Sequence, residues 1–159
     1  MVAPLFFVLL FAIIETGIMF FAGQVLETIA QDSARQIMTG QAQAKAYSQS
    51  DFHDKYVCKQ IPALFSCDSI YVDVQSYGSA FPGTPPPSQI DGSKNFINNM
   101  KYCPGNSGEV VVVRLFYQWP LFVTGLGYDI SNLAGGLRLL YATAAFRNEP
   151  FVANPSACS

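Results

Sequence analysis

Charge is scarce in this 159-residue chain: 13% of its residues are charged, while 50% are apolar. Nine basic and eleven acidic residues leave a net charge of −2, and no basic stripe occurs along the chain. The electrostatic footprint of a nucleic-acid partner is therefore missing, and none is expected. Catalytic motifs are missing as well. There is no P-loop, zincin motif or nucleophile elbow, and the Gly-x-Gly at Gly125 to Gly127 lacks the third glycine of a dinucleotide loop. The expectation is a protein that is not an enzyme, with no cofactor and no metal. No Lys or Arg precedes Arg35, so flanking charge is silent on orientation. No proline lies between Pro4 and Pro62, so nothing there obliges a helix to stop.

What is present begins at once. Val2 to Gly23 is an apolar run interrupted by one charge, Glu15. As a helix rising about 1.5 Å per residue it reaches roughly 33 Å, enough to cross a hydrocarbon core. A cleaved signal peptide fits poorly, because the run is long, lacks a basic start, and has no small-residue cleavage site at Gly23-Gln24-Val25. A buried core helix fits poorly too, since a domain of this size rarely hides a helix apolar on every face. Beyond Gly23 the apolar character narrows to a stripe, Val25, Leu26, Ile29, Ser33, Gln36 and Ile37, with Ala30 and Ala34 beside it. The spacing predicts one continuous helix from about Pro4 to Gln43 or beyond, with Pro4 in its first turn. Three stretches follow from this reading: a spanning or packing helix over 1–23, an amphipathic extension over 24–48, and a strand-rich domain over 49–159.

The four cysteines, Cys58, Cys67, Cys103 and Cys158, lack the close pairs of a zinc ribbon. An even count in a small exported domain favours disulfides. Of three connectivities, Cys58 with Cys67 and Cys103 with Cys158 is preferred: the first closes a short loop around Pro62, the second ties down the tail. A metal site using His53, five residues before Cys58, is the minor alternative. Oxidised cysteines place the domain in a periplasm or outside the cell.

Three strands are expected. Ile70 to Tyr77 alternates apolar with Asp73 and Gln75; Glu109 to Tyr117 is a β-branched run; Leu137 to Phe146 is ambiguous on propensity and is assigned as a strand. The resulting fold class is α+β, a long N-terminal helix packed on a small antiparallel sheet of about three strands, disulfide-braced. Between the first two strands, Gly78 to Gly108 carries Phe81-Pro-Gly-Thr-Pro-Pro-Pro and a short helix over Gly92 to Met100, and its length marks it as a functional surface. Trp119 to Ile130 is apolar but broken by Pro120, Gly125 and Gly127. It reads either as a loop folded onto the core or as an exposed tip, with Trp119, Pro120, Leu121 and Phe122 as the interaction surface.

Val2-Ala3-Pro4-Leu5-Phe6, then Ile13-Ile14-Glu15-Thr16-Gly17, then Ser33-Ala34-Arg35, together resemble the TadE-like pseudopilins of tight-adherence (Tad) pilus systems. Tyr117-Gln118-Trp119-Pro120-Leu121 and Phe146-Arg147-Asn148-Glu149-Pro150-Phe151 resemble that family's C-terminal half. The prepilin-peptidase site and Glu-Phe-Ala segment usual in the family, just before the equivalent of Met1-Val2-Ala3-Pro4, are not among these residues. The resemblance implies a pilin-like role in a type IVb-like pilus. Its partners would be other pilins or minor pilins contacted through the N-terminal helix, the inner membrane, and the pilus assembly platform. The implied location is the bacterial inner membrane, single-pass with the C-terminal domain in the periplasm, or the extracellular pilus.

Glu15 is the leading site candidate. A carboxylate at the centre of a spanning helix costs about 2.5–3.5 kcal/mol on insertion scales, so the expectation is that it is protonated or has a partner. That partner is either another subunit's helix or a nearby group such as Thr16 or the backbone one turn earlier. Gly17 and Gly23, with Ala22, permit close helix approach. Arg147 and Glu149 are expected to pair with each other or to cap neighbouring backbone.

Overall fold

The computed structural model describes residues 3–81, 83, 86–123, 129–152 and 158. Helix α1 runs from Ala3 to Met38, about 54 Å at the usual rise. Its buried residues include Met19, Ala22, Leu26, Ile29, Ser33 and Ile37, steps of three and four that keep one face on the domain. The helix ends earlier than the apolar pattern predicts. Gly40 adopts φ +74° and lies under the Phe151 ring, where an added Cβ would come within 2.5 Å of a ring carbon. Only glycine accepts both that backbone and that approach. Helical structure resumes briefly in α2, Gln41–Ala44, and α3, Gln49–Phe52. Ser48 caps α3 by accepting from the Asp51 amide, and Asp51 accepts in return.

The sheet is three-stranded and antiparallel, in the order β1 (Ile70–Ser76), β2 (Val110–Pro120), β3 (Leu137–Arg147). Leu137 onward is a strand: pairing with β2 along Leu137–Arg147 decides what propensity leaves open. Val72, Val74, Val113, Leu115, Tyr117 and Ala142 form a core with Leu26, Ile29 and Ile37 of α1. β2 extends past the expected Tyr117: Leu115, Tyr117 and Trp119 keep the inward alternation, and Pro120, as the last residue, gives up only one terminal N–H.

The opposite face of the sheet carries an ion pair. Arg114 donates from Nε and Nη2 to Asp73 Oδ2 at 2.9 and 2.8 Å, and both residues are buried. The chain between β1 and β2 folds over them: Arg114 Nη1 reaches the Pro87 carbonyl, and the Lys101 amide donates to Asp73 Oδ1. Phe96 packs on Tyr71 and Phe116, with ring centroids 4.7 and 6.0 Å away. The helix expected over Gly92 to Met100 is not formed. Asp91 Oδ1 captures the amides of Ser93 and Asn95, and Lys94 sits at φ +62°, so local side-chain bonds displace the helical ladder. Pro82, Thr84 and Pro85, in the proline-rich part of this excursion, lie outside the described residues. Near its end Glu109 accepts from Ser76 Oγ at 2.7 Å and the Asn106 amide at 2.9 Å. These bonds, that from Ser76 foremost, hold its carboxyl below the usual value.

Disulfides join Cys58 to Cys67 and Cys103 to Cys158. The first closes the turn that follows α3; the second fixes the C-terminal tail beside the segment bonded to β1, where Val74 and Cys103 share a backbone hydrogen bond.

Candidate functional site

The two halves of α1 have different surroundings. From Leu5 to Phe21 the large apolar side chains other than Met19 project outward, with Phe6, Ile13 and Phe20 each more than half exposed. Only 17% of the most apolar 18-residue stretch is buried. A core helix of a soluble protein would be mostly covered, so α1 is a candidate membrane anchor.

Glu15 sits where this bare stretch meets the domain. It is 8% exposed and occupies the first position of the buried stripe, four residues before Met19. Its Oε1 accepts from the Phe122 amide at 2.5 Å, and Oε2 from the Val123 amide at 3.1 Å. Two backbone donors thus hold the carboxyl group. Thr16 Oγ1 donates to the Ala12 carbonyl. Neither Thr16 nor the backbone one turn earlier accounts for this bond: it comes from the chain's own loop, 107 residues away.

The four-residue interaction surface divides. Trp119 is not on a surface; it is 7% exposed and packs edge-on to Phe65 in the core, because it continues the inward alternation of β2. Pro120 is exposed, Leu121 half-buried, and Phe122 82% exposed. Phe122 and Val123 face Phe11, Ile14 and Ile18 across an apolar cleft of about 330 Å³, with Glu15 and Trp119 at its floor. Gly125 and Gly127 lie outside the described residues. Gly17 is exposed and Gly23 half-buried, and a Cβ built at either meets nothing within 4 Å. Any close approach they permit is to another molecule.

The remaining candidates sit in the domain. His53 bonds Asp54 through Nδ1 at 2.6 Å and the Cys67 carbonyl through Nε2 at 3.1 Å. Possible ligand atoms of His53, Asp54, Cys58 and Cys67 lie within 4.8 Å of one another, but both sulfurs are committed to the disulfide, and a metal needs them as thiolates. Arg147 donates to the Gly108 carbonyl at 2.7 Å, and the Glu149 amide to the Met38 carbonyl. Both are backbone ties.

A family model described as TadE-like protein matches residues 1–35. The N-terminal helix is TadE-like. No curated protein and no solved structure matches the chain. The TadE-like segment contains Glu15, Gly17 and Gly23 and the first part of the buried stripe, while the whole sheet lies outside it. The likeness is to the helix alone and covers less than a quarter of the chain.

Proposed function

We propose that this chain is a minor pilin or pseudopilin of a Tad-type, type IVb-like pilus, acting in assembly, initiation or tip formation. One observation carries the reading: a TadE-like helix leaves its front half bare while its rear half is the core of a disulfide-braced domain. Lipid covers that bare surface before assembly, and neighbouring pilin helices cover it afterwards. The domain projects from a single pass into the periplasm, where its disulfides are stable. A sheet with a 30-residue excursion is bulky for the repeating body of a thin filament, which favours a low-copy position.

Shearing filaments from cells and measuring the partition of this chain by quantitative mass spectrometry tests the proposal. Recovery with filaments, at a low ratio to the main pilin, is the expected result. Exclusive recovery with the inner membrane would make it a resident scaffold instead. Glu15→Leu is expected to preserve insertion and weaken assembly by freeing the loop at 121–123.

A second reading, a tip adhesin, has a specific support. The outer sheet face bears a cavity of about 460 Å³ lined by Pro86, Pro87, Arg114, Phe116, Tyr141 and Thr143, and Tyr141 is 70% exposed. Deleting residues 81–92 would also unroof the buried Asp73–Arg114 pair, so Tyr141→Ala with Thr143→Ala is the cleaner test. Lost attachment with normal filaments favours adhesion.

A further inference from the structure

We infer that Phe122 and Val123 are immersed in the membrane's hydrocarbon beside α1, so that the domain is seated into the bilayer. This rests on the anchor reading above and adds a lipid-contacting surface outside the helix.

Position along α1 sets the relative depth of the groups beside it. Phe20 and Phe21 are 67% and 61% exposed. They lie five and six residues nearer the polar part of the helix than Glu15, about 8 Å along the axis. Hydrocarbon that covers Phe20 and Phe21 therefore extends past the level of Glu15. The Phe122 and Val123 amides are bonded to Glu15, so these two residues sit at that level. Phe122 is 82% exposed there, and the cleft between it and Phe11, Ile14 and Ile18 is walled by apolar side chains.

Polar groups at this depth are costly unless satisfied. Here the two loop amides and the carboxylate satisfy one another, which leaves an apolar outer surface continuous with the helix. Lipid acyl chains are the occupant this chemistry fits. An aqueous surface would leave a bare phenylalanine beside three bare helix side chains, and a polar partner would find few free donors in the cleft.

Depth-dependent fluorescence quenching tests this in the disulfide-bonded 159-residue chain reconstituted into vesicles of phospholipid brominated along the acyl chain. Phe122→Trp reports on the loop, Phe7→Trp on the helix, and the parent, whose only tryptophan is Trp119, supplies the baseline. Both substituted positions are exposed, so neither replacement disturbs the core. The expected result is loss of emission from both probes beyond the baseline, with a blue shift of the Phe122→Trp spectrum. Quenching of Phe7→Trp alone overturns the inference and leaves the anchor standing. Quenching of neither overturns both. If Phe122→Trp is quenched only in dilute membranes and escapes as the protein-to-lipid ratio rises, a second copy fills the cleft and the inference is again overturned.

Discussion

Helix α1 is one uninterrupted rod with two kinds of surface, and the contrast between its halves explains more than either alone. Toward the N-terminus nearly every large side chain is apolar and bare; from Met19 onward one face in three to four residues is sealed against the sheet. The front is apolar all round, as the proposed covering of lipid or neighbouring helices on every side would require. The rear is apolar in a stripe because its covering is a sheet on one side. Glu15 is the first member of the rear stripe although it lies within the front's apolar run, so the domain's hold on the helix reaches into the segment that composition alone gives to the membrane.

The largest test of this division compares one leucine from each half. Leu26 is fully buried and Leu9 is 56% exposed. Leu26→Ala should destabilise the domain in detergent by about 2–5 kcal/mol through lost burial and the cavity left behind. Leu9→Ala should change it by no more than about 0.5 kcal/mol. Denaturant unfolding followed by Trp119 emission reads both, and equal losses would erase the distinction.

Next comes the seam. Glu15→Leu leaves the Phe122 and Val123 amides without their acceptor, a cost of about 1–3 kcal/mol for buried donors. It should appear as roughly five- to hundredfold faster hydrogen exchange at those two amides, since about 1.4 kcal/mol is a factor of ten, with little change at Val113 or Leu115 in the centre of β2. Unchanged exchange at Phe122 and Val123 would mean that the carboxylate does not hold the loop.

A smaller effect of opposite sign is expected within the rear stripe. Ser33 is completely buried against the sheet, and its hydroxyl has no hydrogen-bond partner among the described residues. Ser33→Ala removes that unsatisfied group and places a better helix former in the same space, so thermal unfolding should rise by the equivalent of about 1 kcal/mol. A loss instead would reveal a role for the hydroxyl outside the monomer.

How much of this was legible in the chain depends on the distance over which each feature is decided. The long helix, its stripe of Leu26, Ile29, Ser33, Gln36 and Ile37, and the three strands arise from local periodicity, and the sequence displays them. The helix over Gly92 to Met100 was misread because Asp91 diverts the local amides, a competition that propensity does not register. Trp119 carried a usable signal that was missed: it extends the two-residue period of Leu115 and Tyr117, which marks it as core. The partner of Glu15 had none. A backbone amide is the same in every residue, so no side chain at 122 or 123 announces the bond; only the phase of Glu15, four residues before Met19 and seven before Ala22, hinted that it faces the domain.

The smallest expected effect on the isolated fold is the most informative about assembly. An added Cβ at Gly17 or Gly23 touches nothing in the monomer, and alanine is the better residue in a helix interior. Gly17→Ala and Gly23→Ala should therefore leave unfolding unchanged or raise stability by about 0.5–1 kcal/mol each. Small residues matter where helices from different chains approach closely, so the same substitutions should lower the amount of this chain recovered with sheared filaments. Because monomer stability moves the other way or not at all, such a loss is assignable to intermolecular packing. Undiminished recovery would show that neither glycine lies at a subunit contact, and would leave the bare phenylalanines and isoleucines of the front half as the surface that neighbouring helices cover.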